Sequence, residues 1–98
     1  MLTPADIETI PAGPLKVRAF HPGRLLAEEI EFRGMNANSL ALGLHVPSNR
    51  MRAIMQCKRA ISPDTAIRLE KFLGIPASLW IRLQSNYDLE IAEQNFHD

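Results

Sequence analysis

The chain has 98 residues, 46% of them hydrophobic and 22% charged, enough for one buried core and too ordinary for disorder throughout. Eleven basic residues balance eleven acidic ones, and a sequence pI near 6.8 argues against a uniformly basic nucleic-acid binder. No apolar run approaches the roughly 18 residues of a membrane span, and MLTPADIE lacks the layout of a signal peptide, so a cytoplasmic protein is expected.

Residues 1–20 read as an irregular arm. Thr3 can cap one or two helical turns through Glu8, with Ile7 and Ile10 as the apolar contact, but PAGP at 11–14 must end them. The composition assigns the arm no role.

The main domain is expected over residues 21–94, with a frayed tail at 95–98. Its first helix runs from about Pro22 to Arg33, with Pro22 at a position that needs no N–H and Gly34 as the stop. Leu25, Leu26 and Ile30, with Phe32 at the margin, supply its buried side. Glu28, Glu29 and Glu31 face out, pointing in different directions and lacking the companion groups of a catalytic carboxylate pair.

The stretch from Asn36 to Arg59, NANSLALGLHVPSNRMRAIMQCKR, reads as two short helices joined by a turn of about three residues. Asn36 caps the first, and Leu40, Ala41 and Leu44 share its buried face, with Ala41 small enough for a close crossing. Gly43, His45 and Pro47 break that helix and start the next, with Pro47 in the first turn. In the second helix Met51, Ile54 and Met55 point inward, joined by Val46.

The opposite side of this second helix carries Asn49, Arg52, Ala53 and Gln56, flanked by Ser48 and Arg50. Amide, guanidinium and methyl groups in this order suit base edges: Asn and Gln pair with adenine, Arg with guanine, and Ala touches a thymine methyl. Ser48, Asn49, Arg52, Ala53 and Gln56 are therefore the candidate base contacts, and Arg50 a candidate phosphate contact.

Charge is distributed to match. Between Phe32 and Pro63 there is no acidic residue, while Arg33, Arg50, Arg52, Lys58 and Arg59 fall inside that window. A neutral chain can thus present one positive face, because phosphate attraction is screened over about 8 Å at physiological salt. Lys58 and Arg59, in the loop after the second helix, are placed to reach phosphates. The competing reading is that the helix pair is ordinary packing and the charges are a solvated face.

Ser62-Pro63-Asp64 opens a fourth helix with a cap, a first-turn proline and an acid at the positive end of the helix dipole, and Gly74 closes it. Ala66, Leu69 and Leu73 form its stripe, with Ile67 and Phe72 at the edges. A last helix is expected from about Ala77 into the low 90s, where Trp80, Leu83, Tyr87 and Ile91 recur at helical spacing. That stripe exceeds what a small core can cover and suggests a homodimer through those four residues. Trp80 and Leu83 also suit the core, which leaves Tyr87 and Ile91 as the better interface candidates.

At these motifs the chain resembles a known family. HPGRLLAEEI at 21–30, the helix pair, KRAISPDTAIRLEKFLG at 58–74 and SLWIRLQSNYDLEIA at 78–92 resemble the HigA antitoxins, lambda-repressor-like helix-turn-helix partners of HigB toxins. About three quarters of the chain is covered, and the Trp followed by Leu-Gln-x-Asn-Tyr-Asp-Leu is the most specific motif. The resemblance implies an all-α, five-helix domain and a dimer that binds palindromic operator DNA to repress its own operon. It also implies a partner, a HigB-like mRNA-cleaving toxin that the protein silences. By matching position Ser48, Asn49 and Arg52 take the groove-facing role, and Asn38 and Ser39 the phosphate contacts of the preceding helix. Three positions depart from the family: His45 and Cys57 stand where glycine is usual, and Ala37 where a phosphate-binding glutamine is frequent.

Two other readings keep the fold: a stand-alone repressor without a toxin, and a protein-interaction module that has lost DNA binding. An enzyme is not expected, nor a cofactor or metal. His21, His45 and His97 are scattered, Cys57 has no base beside it, and there is no glycine-rich phosphate loop. His21 reads simply as the residue preceding the helix-starting Pro22.

Overall fold

A computed structural model describes residues 19–96. The expected arm lies almost wholly outside the described residues, as do the last two residues of the expected tail, His97 and Asp98. The described residues form five helices and no strand: α1 (Pro22–Phe32), α2 (Ala37–Leu44), α3 (Ser48–Met55), α4 (Pro63–Leu73) and α5 (Ala77–Asn95). None is long and apolar enough to cross a membrane.

Local chemistry explains each start. His21 Nδ1 accepts from the Gly23 N–H and Pro22 takes the first position of α1. Asn36 and Ser39 form a reciprocal capping box on α2, and the Ser62 hydroxyl accepts from the Thr65 N–H at α4. The Glu70 carboxylate, 2.9 Å from the Ala77 N–H, serves the first turn of α5. Pro47 has extended backbone one residue before α3, rather than the expected place inside its first turn.

The helix ends repeat one device. After α1, Met35 N–H reaches Ile30 O and Gly34 N–H reaches Glu31 O around a left-handed Gly34. The same pair of bonds closes α2 around His45 (φ 58) and α3 around Cys57 (φ 63). Among the described residues, the two non-glycine residues with positive φ are thus His45 and Cys57, the positions where the resemblance implies glycine. Two arginines satisfy further carbonyls at long range: Arg33 Nη2 lies 2.8 Å from Leu73 O, and Arg68 Nη1 lies 2.9 Å from Leu44 O.

α2 packs on α3, α4 on α5, α4 lies under α2, and α1 bridges α3 and α5. The core is Leu26, Ile30, Leu40, Ala41, Leu44, Met51, Ile54, Ile61, Ala66, Leu69, Leu73 and Trp80; all but Ile61, which lies in the loop before α4, fall on the apolar stripes expected of the helices.

Three further expectations are corrected. Trp80 is fully buried, so its indole belongs to the core and cannot lie in a dimer interface. It sits in the first turn of α5, where that helix crosses the rest of the bundle, and only the later turns run free. Phe32, expected at the buried margin, is 88% exposed, because it lies two residues and about 200° around the helix from buried Ile30. Gly43 lies within α2 and does not end it. The Phe72 ring covers it so closely that a β-carbon would collide.

Candidate nucleic-acid interface

α3 divides as its spacing dictates. Met51 and Ile54 are buried, with Val46 and Met55 packed beside them. Asn49, Arg52 and Gln56 are exposed on the other side, and Ser48 and Ala53 are half-buried at its edges. The Arg52 guanidinium reaches back along the helix to the Ser48 hydroxyl at 3.3 Å. No side chain caps α3, so its first N–H groups stay open to an acceptor from outside, such as a phosphate oxygen.

Of the phosphate candidates, Lys58 and Arg59 are exposed in the loop after α3, and Asn38 is exposed in the first turn of α2. Arg50 is half-buried, its Nε shielded from solvent without a hydrogen-bond partner. Ser39 departs from expectation: its hydroxyl accepts from Asn36 N–H and donates to Asn36 O, so it is committed to the cap. Arg33 leaves the positive face as well. Its Nε lies 2.9 Å from Glu29 Oε1 while its other arm holds Leu73 O.

The loop carrying Lys58 and Arg59 is fixed from below by side chains that sequence reasoning missed. Gln84, buried on α5, accepts from Ile61 N–H at 2.9 Å and donates to Asp88 Oδ1 at 2.9 Å. His21, only 6% exposed, stands edge-on to Tyr87 with ring centroids 5.0 Å apart. Burial lowers the His21 pKa below 6.5, against smaller raising effects from Asp88 and from a hydrogen bond to the Arg59 backbone. Gly23 meets the Ile54 carbonyl with no room for a β-carbon. The His-Pro-Gly triplet was the available signal, each member a capping or close-approach residue.

For the dimer face, Leu83 and Tyr87 are half-buried and Ile91 is partly exposed. Leu89, at 59% exposed, and Phe96, at 72%, add apolar surface at the free end of α5 that the four-residue stripe omitted.

Two short helices at a tight turn, the second with a polar outer side and basic residues just beyond it, define a lambda-repressor-like helix-turn-helix domain, a class that sets its second helix in the major groove. No protein-family model matches the chain. It is 42% identical over 88 residues to virulence-associated protein I of Dichelobacter nodosus, spanning 89% of this chain and 82% of that protein. Among solved structures, it is similar to an addiction module antidote protein of the HigA family from Coxiella burnetii, at 41% identity and a TM-score of 0.74, covering 84% of this chain and 99% of that one. It is also similar to the Pseudomonas aeruginosa antitoxin HigA with higBA promoter, at 36% identity and a TM-score of 0.74, covering 76% and 83%. The chain belongs to the HigA family of antitoxins.

Proposed function

We propose that this antitoxin binds operator DNA as a homodimer, represses its own operon, and silences a HigB-like mRNA-cleaving toxin. The observation that carries the DNA part is the exposed row Asn49, Arg52 and Gln56 on α3, followed by exposed Lys58 and Arg59. The similar Pseudomonas aeruginosa HigA, with higBA promoter, supports the same reading. On it, Asn49, Arg52 and Gln56 read base edges, Ser48 and Ala53 line the groove contact, and Asn38, Arg50, Lys58 and Arg59 hold phosphates.

A dimer through the outer α5 face, with Leu83, Tyr87 and Ile91, would place two copies of α3 on half-sites about 34–36 Å apart. Burying that apolar face supplies the driving force for association.

The test is co-expression with the product of the adjacent gene, followed by a sizing column and a binding assay on the DNA upstream of the operon. The expected result is a stable complex with a small protein that is toxic when expressed alone, and salt-sensitive binding to that DNA. With no such gene or complex, the toxin part of the reading fails and a stand-alone repressor remains. Absence of DNA binding at low salt would overturn the repressor part.

A further inference from the structure

The segment that carries Lys58 and Arg59 is tied at both ends. Upstream, the Lys58 N–H reaches Ala53 O of α3 at 2.9 Å. Downstream it ends at Ile61, whose side chain is only 2% exposed and belongs to the core. The Ile61 N–H is buried outside any helix and needs a partner. Gln84 Oε1, on α5, accepts from it at 2.9 Å. Gln84 is itself buried, and its Nε2 donates to Asp88 Oδ1 one turn along α5, also at 2.9 Å. A carboxylate accepts and does not donate, so Asp88 holds the amide in the orientation that presents oxygen to Ile61.

We propose that Gln84 is a positioning residue for DNA binding: without touching DNA, it holds the Ile61 N–H and so sets where Lys58 and Arg59 meet the phosphates. The proposal rests on the reading of those two residues as phosphate contacts. Both lie two or three residues before the anchored N–H and are exposed, so freeing Ile61 changes the direction in which both side chains leave the backbone. A loop already held in place has less freedom to lose on binding, which lowers the ordering cost.

Gln84 is neutral, buried and on α5, away from the outer side of α3. Each lost phosphate contact lowers the slope of log affinity against log salt by about one. A neutral side chain contributes nothing to that slope, so a change on replacing Gln84 comes through the loop. A role in stability alone leaves the slope of the folded protein unchanged.

The probe is a fluorescent duplex of the DNA upstream of the operon, about three helical turns long, titrated by anisotropy over a series of salt concentrations. The full chain is compared as wild type, as Gln84→Met, which keeps a similar volume and loses both hydrogen bonds, as the double variant Lys58→Ala with Arg59→Ala, and as the triple variant. Circular dichroism checks that each is folded.

The expected result is that the double variant binds more weakly with a slope lowered by about two, and that Gln84→Met also lowers the slope. The triple variant then loses at least about threefold less affinity than the product of the separate losses, since independent sites multiply to within about twofold. If the double variant binds like wild type, the phosphate reading fails and the proposal with it. If the double variant is weakened but Gln84→Met keeps the wild-type slope, or the losses simply multiply, the positioning role is overturned and the phosphate reading stands. Should Gln84→Met not fold, NMR of the wild type decides. The Ile61 amide is expected to exchange with solvent as slowly as amides in the buried turns of α5, with backbone order parameters of about 0.85 from Lys58 to Ile61. An Ile61 amide that exchanges like an exposed loop, or order parameters below about 0.6 in that segment, overturns the proposal.

Discussion

Gly23 rests on the backbone carbonyl of Ile54, so close that the first turn of α1 and the last turn of α3 leave no space for a β-carbon between them. The contact ties the packing helix to the recognition helix at a place where neither backbone can yield cheaply. Gly23→Ala forces the two apart, and overpacking of this kind costs about 1–3 kcal/mol. Urea unfolding is expected to show a midpoint lowered accordingly, with DNA binding weakened because the C-terminal end of α3 moves.

Cys57 predicts a change of the opposite sign. It holds the left-handed position that ends α3, at φ 63, and its side chain is exposed. A non-glycine residue there is strained by roughly 1–3 kcal/mol, partly offset by the greater chain freedom that glycine loses on folding. Cys57→Gly is expected to stabilise by about 0.5–1 kcal/mol in chemical denaturation. His45→Gly, at φ 58 after α2, shifts stability in the same direction.

Arg33 and Lys58 separate structure from DNA contact. Arg33, though exposed, is a clamp between Glu29 and the end of α4. Its removal is expected to cost about 1 kcal/mol of stability, after allowance for solvent screening. Arg33→Ala leaves the salt dependence of DNA binding unchanged, whereas Lys58→Ala lowers its slope by about one. A lowered slope in Arg33→Ala would return that side chain to the DNA face.

Stability also depends on pH through His21. Its folded pKa lies below the ordinary 6.5, so as pH falls the unfolded chain takes up the proton first. The neutral imidazole therefore contributes fully above about pH 6.5, and that contribution is lost as pH falls through the folded value. Unfolding free energies of wild type and His21→Asn, measured from pH 8 downward, are expected to diverge below that point, with wild type losing more.

Much of this architecture is legible in the residues themselves. Asn36, Ser62 and Gly74 mark helix boundaries by short-range chemistry, and Leu40, Leu44, Leu69 and Leu73 mark core faces by helical spacing. Both signals are local and so survive without tertiary information. Trp80 and Phe32 were misjudged because a stripe says which residues share a side, and not whether another helix covers that side. Ser39 and Arg33 fit a DNA-facing role by type, but their partners, the Asn36 backbone and Leu73 O, depend on how turns and helix ends meet. Gln84 stands in the Leu-Gln-x-Asn-Tyr-Asp-Leu motif, but its partner, the Ile61 N–H 23 residues away, carries no signal in the linear order.

The most direct test of the account is a salt titration of operator binding by wild type, Arg52→Ala and Lys58→Ala, repeated on duplexes with single-base changes in one half-site. Arg52→Ala is expected to lose about 1–3 kcal/mol and to relax discrimination at one base position. Lys58→Ala is expected to weaken binding to all sequences alike and to flatten the salt dependence. If the two variants lose affinity in the same way, with the same salt slope and the same base preference, then α3 does not read the groove as assigned.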